Sequence, residues 1–93
     1  MAQVKDASLK PLGYVKVGGI DTATGLTVPA GARYVMCKVE TQAARYRDDG
    51  TLPTATDGML IDVGDELWYA GNLNAVKFIS ATAGSILHVA FYR

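Results

Sequence analysis

The sequence is poor in the residues that build disulfides, zinc sites and catalytic centres: one cysteine and one histidine in 93 residues, with no excess of either charge. A lone cysteine excludes an internal disulfide framework and any zinc site made of several thiolates. Cys37 lies in the apolar run Tyr34-Val35-Met36-Cys37-Lys38-Val39. The expectation there is a small buried hydrophobe, since a reactive thiol needs a cationic, open setting. His88 has no cysteine or second histidine near it and anchors no zinc site without distant carboxylates. Nine basic residues balance nine acidic ones. A protein that lives by neutralising phosphates carries a clear basic excess, so nucleic acid and anionic membrane are not expected partners. Zero net charge also gives little electrostatic protection against association.

Long apolar runs are missing as well. None approaches the ~20 residues of a membrane-spanning helix. The opening Met1-Ala2-Gln3-Val4-Lys5-Asp6 is polar and has no apolar h-region, so synthesis and folding in a cytoplasm are expected. Nor is there a Gly-x-Ser-x-Gly elbow, a His-Glu-x-x-His pair or a phosphate-binding glycine loop. No enzymatic activity, cofactor or metal is expected.

What the chain does have is apolar residues, 49% against 19% charged, enough for a folded domain with apolar surface left for a partner. Short runs rich in β-branched and aromatic residues alternate with glycine-containing turns every eight to twelve residues or so, the rhythm of sandwiches and barrels. The runs cover residues 12–17, 24–28, 32–41, 43–47, 59–63, 66–70, 75–80 and 85–92. Their spacing predicts an all-β fold, a small antiparallel, jelly-roll-like sandwich of about eight short strands. Alternation sets Val35, Cys37 and Val39 on one face, and Leu87, Val89 and Phe91 on one face of the last strand. With Phe78 they are the expected core. Residues 1–10 carry no period and read as a flexible arm that would reach ~33 Å if extended; a single domain covers residues 11–93.

Arg45-Tyr46-Arg47-Asp48-Asp49-Gly50 is the most distinctive segment. Alternation puts Arg45 and Arg47 on one face and Tyr46 on the other. Asp48 and Gly50 favour a turn, and both arginines are expected to pair with carboxylates, within the chain or across a subunit boundary. A calcium loop would need spaced acidic ligands and a closing glutamate, which are lacking. Large rings are more numerous than one small core holds. Tyr34, Arg45, Tyr46, Arg47, Trp68 and Tyr92 are therefore the candidate interface residues, because Tyr, Trp and Arg anchor interfaces.

The stretches Leu26-Thr27-Val28-Pro29-Ala30-Gly31-Ala32, Ala44-Arg45-Tyr46-Arg47-Asp48-Asp49-Gly50-Thr51 and Gly64-Asp65-Glu66-Leu67-Trp68-Tyr69 resemble small proteins encoded among the virion genes of tailed bacteriophages and prophages. The likeness spans roughly residues 12–92, and Arg-Tyr-Arg-Asp-Asp-Gly-Thr is its specific part. It implies a structural component of the virion, such as a capsid decoration (cement) protein or a tail- or fibre-associated module; in the second case Trp68 and the neighbouring tyrosines are the residues that would contact host-surface glycans. The partner it implies is the major capsid protein or another virion protein; the small core, zero net charge and surplus rings add further copies of the chain, in a homo-oligomer such as a trimer.

Overall fold

The computed structural model describes residues 9–93. Most of the expected arm therefore lies outside the described residues. Of its ten positions Leu9 and Lys10 are described, and Lys10 exchanges backbone hydrogen bonds with Arg93 at 2.8 and 3.0 Å.

Eight strands follow: β1 (Pro11–Val17), β2 (Thr24–Gly25), β3 (Tyr34–Glu40), β4 (Ala44–Arg47), β5 (Met59–Ile61), β6 (Leu67–Ala70), β7 (Lys77–Ser80) and β8 (Ile86–Tyr92). They form two antiparallel four-stranded sheets, β1-β8-β3-β6 and β2-β7-β4-β5. The chain is a small all-β sandwich, as its punctuation predicts. Runs shrink where the ladder has no neighbour or the chain turns. Expected strand 24–28 keeps only the two residues that pair with Phe78 and Lys77. Expected strand 59–63 ends at Ile61, because Asp65 turns the chain there: its carboxylate accepts the Asp62 N–H at 2.9 Å and its own N–H bonds the Asp62 carbonyl at 2.9 Å. Before β7, Asn72 caps a 3-10 turn over Leu73–Ala75.

The chain passes between sheets within a few residues. From β3 to β4 it does so at Thr41, whose φ of +80° is the one positive value among described non-glycine residues. Gln42 N–H bonds the Glu40 carbonyl at 2.9 Å across it, a γ-turn of the rarer, strained hand.

Every residue expected in the core is buried: Val35, Cys37, Val39, Phe78, Leu87, Val89 and Phe91. Ile20, Ala44, Ile61, Leu73 and Val76 join them. Ile20 and Leu73 come from connecting segments, where no period marks an inward residue. Ile20 is held by its carbonyl, which accepts the Ser80 N–H at 2.7 Å.

Outside the sandwich, the sheet containing β1 carries a second, smaller cluster. Tyr92 lies opposite Tyr34 in register, and its ring packs on Trp68 with centroids 5.6 Å apart. These neighbours leave Tyr92 only 6% exposed on a face that alternation assigns to solvent.

Candidate functional site

β4 projects Arg45 and Arg47 from the outer face of its sheet, while Tyr46 turns inward and meets Phe78 at a ring distance of 6.1 Å. Both guanidinium groups reach over the loop between β4 and β5 and hold it down. Arg47 donates from Nε to Asp49 Oδ1 at 3.0 Å and from Nη2 to Asp49 Oδ2 at 2.5 Å, a two-pronged pair. Its Nη1 reaches Asp57 Oδ2 at 3.1 Å. Arg45 departs from expectation: it donates to the carbonyls of Ala55 at 3.0 Å and Gly58 at 2.9 Å, not to a carboxylate. Its stem rises beside Gly58, and the chain packs closely there. A Cβ on Gly58 would sit 3.1 Å from Arg45 Cβ and 3.2 Å from the Tyr46 carbonyl, at a φ of +144°. Only glycine suits that position.

Asp49 and Arg47 shift each other in the direction of charge. The Arg47 hydrogen bond holds the Asp49 carboxyl down to about 2, and Asp49 pushes the guanidinium further up. The second aspartate is used elsewhere: Asp48 Oδ2 accepts the Tyr69 hydroxyl at 2.6 Å, which raises the phenol above its ordinary value. An open depression of about 340 Å³ lies between Arg47, Asp48, Asp49, Asp57, Gly58 and Met59. Its carboxylates are already committed to Arg47 and Tyr69, and among the described residues no group of three or more His, Cys, Asp or Glu side chains is disposed to hold a metal. Desolvation pushes the buried Cys37 thiol up to about 12, which keeps it in the unreactive thiol form.

The six candidate residues do not gather on one surface. Trp68, Tyr92 and Tyr34 belong to the outer face of one sheet, Arg45 and Arg47 to the outer face of the other, and Tyr46 packs against the core. Two features escaped a reading by period. His88 lies between Tyr14 and Glu40 across three strands: the Tyr14 hydroxyl meets Nδ1 at 2.6 Å, and Nε2 meets Glu40 Oε1 at 2.7 Å. The partners are 74 and 48 residues away in sequence, so no local pattern marks them. The large exposed apolar residues among those described also fall into two groups. Tyr14 and Val15 belong to β1; Leu52, Met59, Leu60 and Val63, 47 to 63% exposed, belong to the segment 52–63, which takes in the second half of the arginine-pinned loop and β5.

No family model, curated protein or solved structure matches the chain.

Proposed function

We propose that this chain is a structural component of a tailed-phage virion, a decoration protein that docks on the capsid surface, associates with copies of itself and stabilises the shell. The resemblance of residues 12–92 to small virion-encoded proteins motivates the reading. The observation that carries it is the exposed apolar segment 52–63, with Met59 63% and Val63 55% accessible beside a loop stiffened by two arginines. Scattered exposed apolar residues are ordinary, but four along one twelve-residue stretch, on the short edge strand β5 and the loops that flank it, give a protein partner apolar contacts along that edge. A loop already pinned loses little further freedom on docking. The same patch would serve a tail- or fibre-associated module, and the copy number on the particle separates the two.

The test is quantitative mass spectrometry of purified heads freed of tails. Hundreds of copies per head support decoration, a few copies confined to tailed particles assign the protein to tail or fibre, and none on either removes the virion reading.

A further inference from the structure

We infer that the edge of β1 away from β8 pairs with β1 of a second copy, antiparallel about a two-fold axis at Val15, so that two sandwiches share one continuous sheet. This gives the self-association of the proposed function a surface. It is tested on the isolated protein, so its failure and the failure of capsid docking are separate results.

Four strands stand at sheet edges, and three are blunted by length: β2 has two residues, β5 three and β6 four. β1 has seven and pairs on one side only, with β8, among the described residues. An edge strand of that length is a ready template for another strand. Its N-terminal end is guarded by Pro11 and by a bulge between Pro11 and Gly13. The stretch Tyr14-Val15-Lys16 beyond them has neither proline nor bulge and a single charge, Lys16, and Tyr14 is 63% exposed and Val15 38%.

The register follows from the ladder. Tyr92 directs its carbonyl toward β3, where it accepts Arg33 N–H at 2.8 Å, and Arg93 faces β1 through Lys10. Alternation then aims Phe91, Val89 and Leu87 at β1, and their partners Gly13, Val15 and Val17 back at β8. Tyr14 and Lys16 are left with N–H and C=O groups pointing outward. Only registers that match outward residues with outward residues close hydrogen bonds. Centring the pair on Lys16 would set two ammonium groups directly opposite, which destabilises a sheet. Centring it on Tyr14 would bring Lys16 onto Leu12 at the bulge.

Centring it on Val15 matches Tyr14 with the second copy's Lys16 and Lys16 with its Tyr14, a ring against a cation stem, in hydrogen-bonded pairs on both sides of the axis. Val15 then faces its own counterpart on the inner face. One step out, Val17 of each copy falls opposite Gly13 of the other. Nothing lies within 4 Å of where a Gly13 side chain would stand, and Gly13 opens into a groove of about 320 Å³ lined also by Leu12, Val15 and Phe91. An apolar side chain thus meets an apolar hole. Tyr14 is already steadied for the contact by its hydrogen bond to His88 and by ring stacking at 6.0 Å.

Sedimentation equilibrium of the full chain, the Val15→Lys variant and an oxidised Val15→Cys variant tests the pairing. The parent should be a dimer. Val15→Lys places like charges on the axis and should weaken association at least about tenfold while leaving the far-UV circular dichroism spectrum of the folded chain unchanged. Residues at a non-hydrogen-bonded antiparallel position have Cα atoms about 4.5 Å apart, within disulfide range, so Val15→Cys should cross-link nearly completely on oxidation, and Lys38→Cys should not. A parent that is monomeric or trimeric, a Val15→Lys dimer as tight as the parent, or a dimer without the Val15→Cys cross-link would overturn the pairing. So would a monomer whose β1 amides become protected only when phage heads are added; that result would give the edge to a capsid strand.

Discussion

The Tyr69 hydroxyl donates to Asp48 Oδ2 at 2.6 Å and so ties β6 of one sheet to the turn that follows β4 of the other. It is a side-chain clamp across the open end of the sandwich, between residues that share no strand.

Removing that clamp tests its worth. Tyr69→Phe keeps the ring that packs on the core and deletes the hydrogen bond, with an expected loss of about 1 kcal/mol in denaturant melts. The phenol's folded pKa lies above its ordinary 10.0, so the native state holds the proton more tightly than the unfolded chain. The contribution is then fully present below pH 10.0 and is lost as pH rises through the folded value. The alkaline decline in stability should be shallower in Tyr69→Phe than in the parent; equal slopes would assign it to other groups.

At the acid end the Arg47–Asp49 pair has the opposite sign. Asp49 is lowered from 3.8 to about 2, so its stabilisation is present above 3.8 and is lost as pH falls toward 2. A carboxyl-detected NMR titration should show Asp49 titrating well below the ordinary 3.8. In Arg47→Gln it should return toward 3.8, and a value left near 2 would place the cause outside the ion pair.

Phe91 is 3% exposed and lies between Val35 and Gly13 in the ladder. Phe91→Ala should cost about 3–5 kcal/mol, a large share of what a domain of this size has. Urea melts should find it unfolded or far less stable than the parent.

Thr41 should respond in the other direction. A β-branched residue at a φ of +80° is strained, and glycine adopts that conformation freely. Thr41→Gly is expected to raise stability by up to about 1 kcal/mol, the relieved strain exceeding the added chain entropy. A lower melting temperature would mean that the γ-turn carries no net strain.

For the proposed docking patch, the double variant Leu52→Asp/Val63→Asp changes two side chains that are 58 and 55% exposed. Folding stability should move by less than about 0.5 kcal/mol per site, while binding to purified heads should be lost. A variant that decorates heads as the parent does would move the interface elsewhere.

Strand number, turn positions and the inward face of β3 and β8 were all legible in the residues, because side-chain alternation and glycine turns act over a few bonds and need no partner. Val35, Cys37, Val39, Leu87, Val89 and Phe91 could be assigned to one interior on that ground alone. The turn at Asp48-Asp49-Gly50 was legible for the same reason. Its fastening was legible only in part: Arg47 finds a carboxylate two residues away, whereas Arg45 is captured by carbonyls that only the folded loop delivers. Tertiary structure alone decided which strands are neighbours. It thereby decided that β1 pairs on one side only among the described residues, that Tyr92 is covered by Trp68 on a face alternation gives to solvent, that Tyr46 joins the core, and that Tyr14, His88 and Glu40 meet. Those outcomes depend on pairings made between residues tens of positions apart, and no local period encodes which of several similar strands will come to lie alongside another.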